Sequence, residues 1–219
     1  MVNFYPQAIT QSCQHCLIYL RTKDFVRNYY LAGGTALALQ IGHRISTDLD
    51  WFSTSQPLLF PEREKVSQIL SENSEFEIAS EQDGLLFTRL FQTDVSFIYQ
   101  HHSLVEQTID YQGVHLASPA DIGLMKLAAI NSRGNRRDFI DLYCLREIIS
   151  LERLLELAPA KYHDRPSFLS VAARALAFFE DAEAQPMPRM LIPIQWSEVR
   201  LYCEEGARKL TRRLSGIET

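Results

Sequence analysis

Leu31-Ala-Gly-Gly-Thr-Ala-Leu-Ala-Leu-Gln-Ile-Gly-His-Arg-Ile-Ser-Thr-Asp-Leu-Asp-Trp-Phe52 carries a glycine pair at one end and two alternate carboxylates at the other. Residues 28–32, Asn-Tyr-Tyr-Leu-Ala, are aromatic and apolar and suit a strand, which Gly33-Gly34 then breaks. Residues 35–42 place Leu37, Leu39 and Ile41 among alanines and run to a glycine, the composition of a helix. A strand, a glycine turn and a helix N-terminus present backbone N–H groups to an anion, and the Thr35 hydroxyl adds a donor or a metal contact. The next strand brings Asp48-Leu49-Asp50. Side chains alternate along a strand, so both carboxylates face one side while Leu49 goes to the core. Two hard oxygen ligands on one face suit Mg²⁺ (or Mn²⁺), which usually keeps several waters and takes its remaining ligands from substrate phosphates.

The order glycine pair, thirteen residues, Asp-x-Asp resembles the signature of the nucleotidyltransferase superfamily. More narrowly, Gly33-Gly-Thr-Ala-Leu-Ala-Leu-Gln-Ile-Gly-His-Arg44 with Asp48-Leu-Asp-Trp-Phe52 is similar to the AbiEii/AbiGii abortive-infection toxin family. The bland reading of the same residues is a hairpin or Rossmann-like turn whose aspartates cap a helix. His43 and Arg44, just past the helix, either reach a phosphate or lie on the surface.

Around this stretch, residues 7–21 read as a first helix and 61–72 as another, with Val66, Ile69 and Leu70 at helical spacing. Three strand-like runs follow, 76–80, 85–91 and 95–99, and the Asp83-Gly84 pair between the first two is a hairpin signal. Strand, helix, strand, helix and then antiparallel strands give an α+β fold with a small mixed sheet. From Ser118 onward helix formers dominate, and Ser118-Pro-Ala-Asp121 is a start signal, with Ser as N-cap, Pro in the first turn and a carboxylate three residues on. Helices are expected over 119–132, 136–149, 151–157, 167–180 and 196–214, with the proline-rich 185–193 as the longest loop. The boundary falls near Ala117: residues 1–117 form the core and 118–219 a helical domain that completes the active site.

Size and charge exclude several classes. A chain of 219 residues, 46% hydrophobic and 22% charged, is ordinary for a globular protein, and no apolar run approaches the roughly 20 residues of a membrane helix. Met1-Val-Asn-Phe-Tyr-Pro6 lacks the basic-then-apolar pattern of a signal peptide, so a cytoplasmic home is expected. A formal net charge of −5 argues against broad electrostatic capture of nucleic acid, which leaves any RNA contact to a local patch. No second pair completes a zinc site with Cys13-Gln-His-Cys16, and with Ile9, Leu17 and Leu20 these cysteines fall on one helix as a buried structural pair.

In the helical half, Lys126 sits in the apolar run Asp121-Ile-Gly-Leu-Met-Lys-Leu-Ala-Ala-Ile130. Either it snorkels to solvent or its ammonium meets nucleotide phosphates. Within Arg133-Gly-Asn-Arg-Arg-Asp-Phe-Ile-Asp-Leu-Tyr143, Asp141 points to the packed face and wants a partner, one of Arg133, Arg137 or Lys126, unless it acts as a base. Asp138, near a helix N-terminus, complements the helix dipole. Lys126 and Asp141 match positions where the AbiEii family carries functional residues, and the resemblance extends from about Tyr30 to Leu145. The basic cluster Arg208, Lys209, Arg212 and Arg213 in the 204–219 tail is a solvated helix face or a contact to RNA or a partner.

The resemblance implies a toxin that moves a nucleoside monophosphate from an NTP to an acceptor hydroxyl, RNA and in particular tRNA, and that is neutralised by a cognate antitoxin. Gly33, Gly34 and Thr35 then cradle phosphates, Asp48 and Asp50 hold the metal, Lys126 neutralises the triphosphate and Asp141 orients or deprotonates the acceptor. Many such enzymes carry a third carboxylate on a later strand, where Asp94 and Ser96 compete for the slot. The alternatives are a phosphotransferase on the same cradle and a non-catalytic nucleotide- or partner-binding module.

Overall fold

The computed structural model of the chain describes residues 3–216. The expectations that touch Met1, Val2 and residues 217–219 lie outside the described residues. The chain divides into two compact units, Met1–Ser103 with Gln107–Ser118, and Leu104–Glu106 with Pro119–Thr219.

The first unit is a mixed α/β layer structure. Its strands are β1 (Tyr30–Ala32), β2 (Asp48–Ser53), β3 (Phe76–Gln82), β4 (Leu85–Leu90), β5 (Thr93–Tyr99), β6 (Ile109–Tyr111) and β7 (Val114–Leu116). They form one sheet in the order β3-β4-β5-β2-β1-β7-β6. The pairs β2–β5 and β1–β7 are parallel and the others antiparallel. Strict alternation sets the faces. Leu49 and Trp51 on β2, Val95 and Phe97 on β5, and Leu86 and Thr88 on β4 are buried in register with one another, while Asp48, Asp50 and Ser96 on the opposite face are partly open. Against this sheet lie α1 (Gln11–Leu20), α2 (Gly33–Ile41) and α3 (Phe60–Leu70).

Departures from the sequence expectation have local causes. The first helix starts at Gln11, because Thr10 caps it by accepting from the Cys13 N–H at 3.3 Å, and Ile9 instead makes a parallel bridge to Ser46. Cys13 and Cys16 are buried free thiols on α1, and burial pushes both pKa values up. Strand β4 ends at Leu90 because Phe91 and Gln92 form a two-residue turn with φ of 50° and 60°, in which the Phe91 ring meets Tyr19 edge-on at 5.4 Å. The three-residue strands β6 and β7 are too short to show a period in sequence, yet β7 extends the sheet by pairing Leu116 with Leu31.

The second unit holds α4 (Pro119–Ser132), α5 (Arg136–Leu145), α6 (Leu151–Lys161), α7 (Phe168–Ala175), α8 (Glu180–Glu183) and α9 (Trp196–Leu214). Helix α4 packs on α5, α6 and α7, and α9 on α5 and α7. Helix α6 runs past Pro159, four residues beyond its expected end, where Lys161 makes a buried 2.8 Å ion pair with Asp121 that anchors the last turn. Asp121 also accepts from the Val105 and Glu106 N–H groups at 2.9 and 3.1 Å, so its carboxylate caps a neighbouring segment. Arg208, Lys209, Arg212 and Arg213 are exposed on α9, with Lys209 paired to Glu152 at 2.8 Å. Among the described residues no helix is long and apolar enough to cross a membrane.

Candidate active site

The glycine turn closes on the carboxylates. Gly33 has φ +66°, a left-handed conformation that favours glycine, and a Cβ there would stand 2.8 Å from Asp50 Oδ2. A Cβ on Gly34 would lie 2.2 Å from Arg44 Nη2. The two missing side chains thus let a carboxylate and a guanidinium reach the first turn of α2. Ala32, the N-cap, offers no polar side chain, and that turn carries no acidic residue, so its N–H groups are left to another acceptor.

On β2, Asp48 and Asp50 share the partly open face, and Asp50 pairs with Ala32 across the sheet. Parallel pairing with β5 sets Asp94 beside Asp48 and Ser96 beside Asp50, all on that same face. Asp94 is exposed and held by Arg89 at 3.3 Å. Both contenders for the third position therefore flank the Asp-x-Asp pair, the hydroxyl being in register with the aspartate that touches the glycine turn. The donor set is all hard oxygen, partly solvated and next to the N-terminus of α2, which Ala32 does not cap, and this suits a divalent cation with a phosphate.

Three residues sit otherwise than expected. Thr35 is buried and its hydroxyl donates to the Asp48 carbonyl and lies 2.8 Å from Ser46 Oγ. The hydroxyl therefore ties α2 to β2, and only the Thr35 backbone N–H stays with the helix N-terminus. His43 and Arg44 are both buried, so surface placement is corrected for each. Ser46, which donates to Asp48 Oδ1 at 3.4 Å, had not been singled out in sequence. Its signal there was only a hydroxyl two residues before the first carboxylate.

In the second unit Lys126 neither snorkels nor stands free. It is buried and binds Asp141 at 2.6 Å and Asp138 at 2.9 Å. Asp138 lies in the first turn of α5, as the helix-dipole reading expects, and also takes Arg133 Nε at 3.0 Å. Burial raises the Asp138 pKa, but the charges of Lys126 and Arg133 outweigh it and hold the carboxyl below its ordinary value. Asp141, buried and salt-bridged, has the partner its position called for.

The Nucleotidyl transferase AbiEii toxin family, of the type IV toxin–antitoxin systems, matches residues 19–211. The chain belongs to this family. The uncharacterized protein aq_aa25 of Aquifex aeolicus (strain VF5) is 32% identical over 190 residues, covering 83% of this chain and 87% of that one. The structure of MenT4, a nucleotidyltransferase toxin of Mycobacterium tuberculosis H37Rv, matches with a TM-score of 0.60 at 18% identity over 91% of this chain and 82% of that one. JHP933 of Helicobacter pylori matches with a TM-score of 0.50 at 16% identity, covering 94% of each. At these identities the two structures speak for the fold, and the family match makes the protein a nucleotidyltransferase. Membership implies an NTP substrate and an antitoxin partner, and the family generally uses a divalent metal.

Proposed function

We propose that this protein transfers a nucleoside monophosphate from an NTP to a hydroxyl of RNA, with tRNA as the favoured acceptor, and that a cognate antitoxin restrains it in the cytoplasm. The observation that carries the reading is the approach of the Asp50 carboxylate to the Gly33 turn, at a helix N-terminus that has no side-chain cap. Gly33, Gly34 and Thr35 donate backbone N–H groups to phosphate oxygens, where the helix dipole favours negative charge. Asp48 and Asp50 hold Mg²⁺ or Mn²⁺ through carboxylate oxygens. A cation so bound supplies charge stabilisation to the phosphoryl oxygens and the leaving group. The Thr35 hydroxyl, by its bond to the Asp48 carbonyl, keeps turn and carboxylates in register.

Lys126 and Asp141 enter the proposal as a pair that supports turnover. With Lys126 2.6 Å away, Asp141 is better placed to orient that ammonium than to remove a proton. The first unit carries the cradle and the second the lysine cluster.

Purified protein incubated with Mg²⁺, cellular RNA and each α-labelled NTP in turn should label RNA, and Asp48→Asn should reduce the labelling at least about 100-fold, as loss of a principal charge-stabilising group does. Transfer of γ-label alone would replace the reading with a phosphotransferase. Silence with both labels would leave a binding module.

A further inference from the structure

Arg44 carries a permanent charge and yet is buried, with its guanidinium against the Gly34 peptide. A cation at a helix N-terminus opposes the helix dipole, and a buried guanidinium is costly without partners. Its Nη1 donates to the Ile45 carbonyl at 3.2 Å and toward Ser46 Oγ at 3.5 Å. The Ser46 hydroxyl, buried as well, passes the chain on to Asp48 Oδ1 at 3.4 Å. One short segment, Arg44 to Asp48, therefore links a full positive charge beside the glycine turn to one of the two carboxylates.

We propose that Arg44 and Ser46 are positioning residues of the cradle: Ser46 fixes the orientation of the Asp48 carboxylate, and Arg44 both anchors Ser46 and adds charge behind the phosphate-binding turn. The proposal rests on the metal and phosphate reading given above. At a site that receives an anion, the guanidinium adds positive potential beside the helix N-terminus. Fixing a carboxylate before a cation arrives removes the reorganisation that binding would otherwise require. Arginine suits this better than lysine, since Nη1 reaches the Ile45 carbonyl and Ser46 Oγ while Nη2 lies against Gly34.

The test is Mn²⁺ binding, read as the loss of free-ion electron paramagnetic resonance signal, for the parent protein, Asp48→Asn, Ser46→Ala, Arg44→Gln and Arg44→Lys, with circular dichroism as the folding check. Ser46→Ala and Arg44→Gln are expected to weaken Mn²⁺ binding about 10- to 100-fold while remaining folded. Arg44→Lys should keep the charge but lose the fork, so that Mn²⁺ binding stays weakened while protection against heat by inorganic triphosphate returns toward that of the parent. Should Arg44→Gln fail to fold, Ser46→Ala decides alone. Parent-like Mn²⁺ binding in folded Ser46→Ala, with Asp48→Asn defective, overturns the positioning role and leaves the site reading intact. Parent-like binding in Asp48→Asn overturns the site reading itself, and this proposal with it.

Discussion

Glycine at position 33 answers two separate demands. Its φ of +66° is hard for any residue with a Cβ, and the Asp50 carboxylate occupies the space that a Cβ would need. Gly33→Ala should therefore cost about 1–2 kcal/mol from the backbone alone, with a further displacement of Asp50. A fall in the thermal midpoint, together with loss of NTP-dependent labelling greater than the stability change explains, would check this. Asp138 gives a pH test of the same grain. Its carboxyl is held below its ordinary value of 3.8, so the charged form is favoured in the folded state. The stability it contributes is present above that ordinary value and is lost as pH falls through the lower folded value. Urea midpoints measured down the acid limb should decline over that window, and Asp138→Asn should flatten this part of the decline. Lys126→Met removes the cation between two buried carboxylates and should destabilise by about 3–5 kcal/mol.

Individual elements show where local pattern was sufficient and where it was overruled. Alternation along β2 was legible over Asp48–Trp51, where buried Leu49 and Trp51 alternate with the partly open Asp48 and Asp50. The β4–β5 turn falls at Phe91 and Gln92, so that β4 ends and β5 begins earlier than the strand-like runs 85–91 and 95–99 suggested. Phe91 and Gln92 lack the turn chemistry of Asn-Gly, yet both take left-handed φ between the paired strands, with the Phe91 ring packed against Tyr19. Gln92→Gly should accordingly stabilise the hairpin by about 1 kcal/mol, visible as a higher thermal midpoint. Helix α6 was expected to stop before Pro159, as the loss of one N–H and a ring clash would suggest. It continues because the anchor for its last turn, Asp121, lies forty residues earlier in the chain.

For the whole molecule, the formal net charge of −5 bears on how RNA is met. A protein with this balance gains little from general attraction to phosphates, so recognition of the proposed acceptor should involve few backbone contacts. Raising salt from about 50 to 200 mM should weaken RNA binding by about tenfold or less, as release of one or two counterions predicts. Filter binding across that range checks it, and a loss of about a thousandfold would point to a broad basic surface instead. The exposed arginines of α9 are the place to look for one in that case.

Residue order alone carried the strand–glycine turn–helix–strand core, the common face of Asp48 and Asp50, and the helical second half, because backbone conformation and side-chain alternation are settled within a few neighbouring positions. The family resemblance rested on the same short-range pattern. Partnering was different. Burial of the Thr35 hydroxyl against β2, the inward Arg44, the ion-pair cluster of Lys126 with Asp138 and Asp141, and the pairing of β7 with β1 all join residues far apart along the chain or on different elements. A buried charge or hydroxyl takes whichever partner the packed elements bring within about 3 Å, and only the tertiary structure decides that distance.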